Sequence, residues 1–142
     1  MTIEELHEAV ILCDGQVQSI NIRPMSSEVV VALLVRARSF PDGPAGIVVD
    51  LTFLGAVEHS FNDNNMDDTQ GYYGDITFCR RPDGRYYLSL DPYGNSCEPH
   101  DKDNDIVIAD VVTIALANKP LQPTQAAPPN SQRDPAGSGP RG

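Results

Sequence analysis

The sequence predicts a mainly β protein: an antiparallel sheet or β-sandwich of about six strands with one short N-terminal helix, an α+β arrangement being the alternative. Three observations predict this class. Apolar residues alternate with a period of two along several segments. The connections between those segments are short and contain Gly, Pro and Asp. Too few helical segments are present to supply the crossovers that parallel strands need.

The N-terminal segment has the pattern of a short helix. Thr2 and Glu5 match a capping box, in which each side chain accepts a hydrogen bond from the other residue's backbone. Three apolar residues then fall on one helical face: Ile3, Leu6 and Val10. The helix is expected to end by the turn pair Asp14-Gly15, and a strand is expected over residues 16–23.

The strongest strand patterns cover residues 29–38 and 47–54. β-branched residues dominate both segments, and apolar residues occupy alternate positions. Residues 40–44 have the composition of a turn. The two segments are therefore expected to pair as an antiparallel hairpin.

A second hairpin is predicted from residues 74–79 and 85–90, joined by the Pro-Asp-Gly turn at 82–84. In its second strand, alternation places Tyr87 and Ser89 on the solvent side.

One long last strand is expected in the middle of a sheet, over residues 106–115, because both of its faces are apolar. From residue 118 onward Pro, Ala, Gly, Ser and Gln dominate, and no periodic apolar pattern remains. We therefore expect a single globular β-rich domain at residues 1–117 and a flexible tail at residues 118–142.

The charge of the chain restricts its partners. Its 20 acidic and 10 basic side chains give a formal net charge of −10. Such a surface repels phosphate backbones and anionic lipids, so we expect no nucleic-acid partner and no membrane partner. It attracts a basic protein or a cation; alternatively, the acidic surface only maintains solubility.

The cysteines and the N-terminus favour a cytoplasmic protein. The three cysteines are an odd number, which argues against a disulfide framework. The first ten residues contain three glutamates and lack the basic start of a signal peptide. No apolar run approaches the roughly 20 residues of a membrane helix.

Two acidic segments with neighbouring tyrosines form the candidate partner-binding surface, because exposed Tyr beside charged loops is common in recognition surfaces. The candidate residues are Asp63, Asp67, Asp68, Tyr72, Tyr93, Asp101, Asp103 and Asp105.

A calcium-binding protein is the less favoured alternative. Residues 101–105 carry Asp at every second position, as in an EF-hand loop, but Ile106 replaces the required glycine and the final glutamate is missing. Zinc is disfavoured because the pair Cys97 and His100 has no second pair of ligands close in sequence.

No catalytic motif is recognisable. His7, His59 and His100 are the only histidines, and none lies in a motif that pairs a nucleophile with a base. The chain also lacks a glycine-rich phosphate loop. We therefore expect no enzymatic activity, no catalytic residue and no cofactor.

Three segments over about residues 46–114 resemble small immunity-like proteins of bacterial polymorphic toxin systems. They are LTFLGAV at 51–57 followed by Phe-Asn at 61–62, DITF at 75–78 before the Asp-Gly turn, and YLSLDPYG at 87–94. That family has a strand ending in a Phe-x-Gly-Val turn, an Asn-rich loop, and a strand ending in Leu-Asp-Pro-(Ser)-Tyr-Gly. Here Ala56 precedes Val57, and the Ser position before Tyr93 is absent.

The resemblance implies an immunity protein that binds a cognate toxin and neutralises it by occlusion, with no chemistry of its own. The toxin would carry a basic surface that meets the acidic one. The alternative is a β-rich protein-binding or scaffold domain with another partner.

Overall fold

A computed structural model describes residues 1–61, 73–94 and 97–118. Within these ranges the chain forms one helix and nine strands, and all the strand pairs are antiparallel. The mainly β fold with one short N-terminal helix is therefore confirmed. The predicted tail falls almost entirely outside the described residues, which end at Asn118.

The helix and strands follow one another as α1 Ile3–Ala9, β1 Val10–Arg23, β2 Glu28–Ala37, β3 Ile47–Leu54, β4 Glu58–Ser60, β5 Tyr73–Gly74, β6 Thr77–Arg80, β7 Tyr86–Asp91, β8 Asn104–Ala109 and β9 Val111–Asn118. A large sheet has the strand order β5-β1-β2-β3-β9, and a small sheet has the order β4-β8-β7-β6. Four long strands make up most of the large sheet, because β5 has only two residues.

The core lies between the two sheets. Alternate residues of β2 are buried, as the period of two predicts, and β3 pairs with β2 in one unbroken register. Phe53 of β3 is fully buried and meets Phe78 of β6 edge to face, with 6.1 Å between the ring centroids. This aromatic pair joins the large sheet to the small one.

The capping box of α1 is confirmed. The Glu5 amide donates to Thr2 Oγ1 at 3.0 Å, and the Thr2 amide donates to Glu5 Oε1 at 2.7 Å. These bonds satisfy two amides that the first turn of a helix leaves unpaired. Ile3 and Leu6 are buried against the core, so the short helix is held by its apolar face.

The first strand starts earlier than predicted. Val10 is already in extended backbone and pairs with Ala37, so β1 begins where α1 ends. Asp14, with a φ of 63°, lies in an interruption of the register between Ile11 and Gln16. The Asp-Gly pair therefore forms a bulge within one strand, because pairing with β2 continues on both sides of it.

The prediction that Tyr87 and Ser89 face solvent is wrong. Both residues are buried, at 4% and 0% exposure. The Tyr87 hydroxyl donates to Asp103 Oδ2, and Ser89 Oγ donates to the Asn104 carbonyl at 2.7 Å. The connection between β7 and β8 thus covers this face of the small sheet, which a pattern of alternation within β7 cannot reveal.

The prediction of one long last strand is also wrong. The segment forms two strands, β8 and β9, which lie in different sheets and are separated at Asp110. β8 lies inside the small sheet between β4 and β7, whereas β9 forms an edge of the large sheet beside β3. The Asp110 amide donates to the Gly55 carbonyl at 2.9 Å, which fixes the crossing point. Apolar alternation continues through both strands, so the sequence hides the change of sheet.

Arg85 holds this crossing in place. Its guanidinium binds Glu58 at 2.6 Å and Asp110 at 3.0 Å, and it also donates to the Ala56 carbonyl. Gly55 and Ala56 have positive φ values of 76° and 47°, so they form a sharp turn. One cation therefore links this turn to β4 and to the point where the chain changes sheets.

Candidate functional site

The structure describes four of the eight predicted partner-binding residues. Tyr93, Asp101 and Asp103 lie in the β7–β8 loop, of which the structure describes residues 92–94 and 97–103, and Asp105 lies just after it in β8. The others lie outside the described residues: Asp63, Asp67, Asp68 and Tyr72.

Asp103 is the anchor of the β7–β8 loop. Its Oδ1 accepts from the Tyr93 amide at 2.7 Å. Its Oδ2 accepts from the His100 amide at 2.9 Å and from the Tyr87 hydroxyl at 2.5 Å. One carboxylate thus joins the two arms of the loop to a buried tyrosine of β7.

Protonation equilibria agree with this geometry. Partial burial acts to raise the pKa of Asp103, but the hydrogen bonds from Tyr87, Tyr93 and His100 outweigh it, so the pKa of Asp103 is lowered. Burial, together with the hydrogen bond to Asp103, raises the pKa of Tyr87. At neutral pH Tyr87 is therefore the proton donor and Asp103 the charged acceptor.

The anchored loop presents a small aromatic platform. The Tyr93 and His100 rings are stacked, with 4.5 Å between centroids and 29° between planes. Lys102 Nζ lies 5.2 Å from the centroid of the Tyr93 ring, within the range of a cation–π contact. The Lys102 amide donates to His100 Nδ1 at 3.0 Å. Tyr93 remains 53% exposed, so the platform is open to a partner.

The acids of this segment differ in their accessibility. Asp101 is exposed, Asp103 is half-buried with both carboxylate oxygens occupied, and Asp105 is buried. Asp105 also has left-handed backbone, with a φ of 52°. Glu98 is exposed on the same loop. Asp101 and Glu98 are therefore the acids that the described part of the loop offers to a partner.

A cleft of about 350 Å³ lies beside the platform, and its walls include Arg81, Tyr87, His100, Asp101 and Asp103. The carboxylate of Asp103 meets the backbone amide of His100, while the His100 ring accepts at Nδ1 from the Lys102 amide. A general base needs its ring nitrogen aimed at a nucleophile or oriented by a carboxylate. The contacts of His100 serve to shape the loop.

The alternating aspartates do not converge on a common point. Among the described residues no group of three or more His, Cys, Asp or Glu side chains is placed to hold a metal ion. The same finding applies to Cys97 and His100. The reason is that Asp103 is directed at Tyr87 and two amides, and Asp105 is buried in β8.

A second cleft, of about 300 Å³, joins the β7–β8 loop to α1. His7 of α1 and Cys97 of the loop both line it, together with Cys13 and Cys79. His7 Nε2 lies 2.8 Å from the Phe78 carbonyl, which ties the helix to β6. The helix is thereby placed beside the loop.

The glutamates of α1 are acidic surface that sequence reasoning missed. The helix has three glutamates, and all three are exposed: Glu4, Glu5 and Glu8. In the sequence Glu5 serves as a capping-box residue and all three serve as evidence against a signal peptide, but none is assigned to the partner-binding surface. Three acidic residues in one short helix could have indicated an acidic surface. However, only the shared cleft reveals that this helix adjoins the β7–β8 loop.

The second cleft yields a prediction for thiol reactivity. Burial raises the pKa of Cys79, whereas Cys97 is exposed. Since the thiolate is the reactive form, we expect Cys97 to react with iodoacetamide at least tenfold faster than Cys79 at pH 7.5. The rate at Cys79 should keep rising at a pH where an ordinary thiol is already ionised. Peptide mass spectrometry over a pH series measures both rates; equal rates in the native protein would contradict the packing of Cys79.

Comparison with family models, with curated proteins and with solved structures finds no match for this chain. Among the described residues, no helix has both the length and the apolar character needed to span a membrane.

Proposed function

We propose that this chain is an immunity protein that binds a basic protein toxin and neutralises it by occlusion. The docking face would comprise the exposed part of the β7–β8 loop and the adjoining helix α1. The proposal rests first on the resemblance of three segments to immunity-like proteins of polymorphic toxin systems.

The observation that carries the proposal is the anchoring by Asp103. The Tyr93–His100 platform is exposed, yet its loop is tied at two backbone amides and one buried hydroxyl. A surface that is already ordered loses little conformational entropy on binding, which favours tight association. Tyr is also among the residues that dominate binding energy at protein interfaces.

Charge supports the choice of a basic partner. Glu98 and Asp101 of the loop are exposed, and so are the three glutamates of α1. Opposite charges across an interface accelerate encounter and select against wrong partners. Because exposed charges are screened by salt, the association rate should fall as ionic strength rises.

Co-expression tests the proposal directly. The full chain is expressed with the product of the gene immediately upstream, and both cell growth and co-purification are measured. We expect Glu98→Lys/Asp101→Lys to weaken the complex at least tenfold and to reduce protection, because attraction becomes repulsion at the loop.

Asp42→Lys/Asp50→Lys is the matched control. It changes the net charge by the same amount at two exposed positions, in the β2–β3 turn and on β3. If both variants weaken the complex equally, the loop is not the docking face. The triple change Asp63→Asn/Asp67→Asn/Asp68→Asn tests the other predicted acidic segment in the same assay.

The second candidate function is a binding or scaffold domain with a partner other than a toxin. The exposed platform suits this function equally well. The two are distinguished by phenotype: a partner that co-purifies but whose expression alone leaves growth unaffected identifies a binding domain.

A further inference from the structure

The four edges of the two sheets differ in how they are protected against pairing with another chain. In the described residues, β4, β5 and β6 have three, two and four residues, and each forms an edge. Such short strands offer little backbone for pairing. The fourth edge is β9, which has eight residues.

β9 also lacks the other usual protections. Its residues are Val-Val-Thr-Ile-Ala-Leu-Ala-Asn, with no charged residue and no proline, although 21% of the whole chain is charged. It pairs with β3 in register over all eight residues, without a bulge. Long, regular, uncharged edges are templates for an added strand, and proteins that remain monomeric usually interrupt them.

The solvent-facing side chains of β9 between Val111 and Asn118 are small. Thr113, Ala115 and Ala117 are exposed, so they leave room for a neighbouring strand, and the larger Val111 on the same face is 49% exposed without a charge. Asp50 is exposed on the same face, opposite Ala115 in the β3–β9 register. Stacking two copies face to face would remove the Asp50 carboxylate of each copy from water, and burying a charge is costly. The face is therefore unsuited to self-stacking, whereas the edge carries no such penalty.

We propose that two copies of this chain associate through β9, strand against strand and antiparallel about a two-fold axis. A strand paired antiparallel with itself is a self-complementary interface, so one surface serves both partners. The absence of charge favours a second copy over a basic partner. Two copies of a strongly acidic chain repel each other least where the surface carries no charge. An uncharged edge also provides no electrostatic attraction for a basic protein.

The expected dimer is weak. Eight residues extend over about 27 Å, and a strand edge buries less area than the roughly 800 Å² per partner of a standard interface. Interfaces of this size are weak, so we expect dimers only at high protein concentration. Association should strengthen as salt is added, because added ions screen the repulsion between two acidic chains. Toxin docking through the β7–β8 loop should weaken with salt, so the two interactions can be distinguished.

Sedimentation equilibrium of the full chain, whose mass is 15.4 kDa, tests the proposal. In an antiparallel self-pair centred on Ile114, Thr113 of one copy lies opposite Ala115 of the other. Thr113→Lys/Ala115→Lys places like charges across the interface and should weaken the dimer at least tenfold. The Thr113→Glu/Ala115→Glu variant should by itself dimerise as poorly. An equimolar mixture of the two variants should form a heterodimer, because opposite charges then face each other across the interface.

Ser26→Lys/Ser39→Lys is the matched control, since it adds the same charge at two exposed turn positions and should leave the dimer intact. Unchanged circular dichroism and melting temperature show that each variant is folded. A wild-type chain that stays monomeric at about 1 mM overturns the proposal. A dimer that persists in Thr113→Lys/Ala115→Lys does the same, because it would use another surface.

Discussion

Replacing Asp103 with alanine is expected to lower the free energy of unfolding by about 3 kcal/mol. The change removes the acceptor for the buried Tyr87 hydroxyl and for the amides of Tyr93 and His100. A buried donor left without a partner costs about 1–3 kcal/mol, and bonds to a charged acceptor are the stronger kind. Urea denaturation followed by circular dichroism measures the loss.

Asp103→Asn and Tyr87→Phe separate the contributions. An asparagine side chain is uncharged, but its amide oxygen remains an acceptor, so the stability of the Asp103→Asn variant should fall between wild type and Asp103→Ala. In a double-mutant cycle, Tyr87→Phe combined with Asp103→Ala should cost less than the sum of the two single changes, because both remove the same bond. Strict additivity would show that the Tyr87–Asp103 bond contributes nothing to stability.

The acid limb of stability gives a further check on Asp103. Its folded pKa lies below the unfolded value, so ionised Asp103 stabilises the native protein above the unfolded pKa, about 3.9. This contribution is lost as pH falls from there through the folded value. The stability difference between wild type and Asp103→Ala should therefore shrink below about pH 4; a difference that grows with acidification would contradict the assigned direction.

Replacing Phe53 with alanine is expected to cost about 4 kcal/mol. Phe53 is fully buried between the sheets, where its ring meets Phe78 edge to face. Truncation leaves a cavity and removes the aromatic contact that joins β3 to β6. The same urea denaturation measures the effect.

Phe53→Leu and Phe40→Ala are the controls for this substitution. Phe53→Leu keeps most of the buried volume and should cost clearly less than Phe53→Ala. Phe40 is 62% exposed, so Phe40→Ala should change stability by less than about 0.5 kcal/mol. Equal losses for Phe53→Ala and Phe40→Ala would contradict the placement of the core.

The Tyr93–His100 platform and its acidic neighbours are only partly predictable from sequence. The predicted residues Tyr93 and Asp101 are exposed, but Asp103 instead serves as the anchor of the loop and Asp105 is buried. Alternating carboxylates look alike in sequence, since what separates them is which one meets Tyr87 and the loop amides. Helix α1, which carries three exposed glutamates, adjoins the loop only because His7 and Cys97, which are distant in sequence, line one cleft.

Local patterns by themselves determined the capping box of α1, the β2–β3 hairpin and the Asp-Gly turn between β6 and β7. Each depends on residues close in sequence, whose backbone preferences and alternation act before any long-range contact forms.

Only the tertiary structure decided that one apolar run divides at Asp110, that Tyr87 is covered, and that β9 is left as a long edge. Those outcomes depend on Arg85, Gly55 and Asp103 contacting partners far along the chain. A periodic pattern indicates which residues are buried, but it does not indicate which sheet or loop covers them.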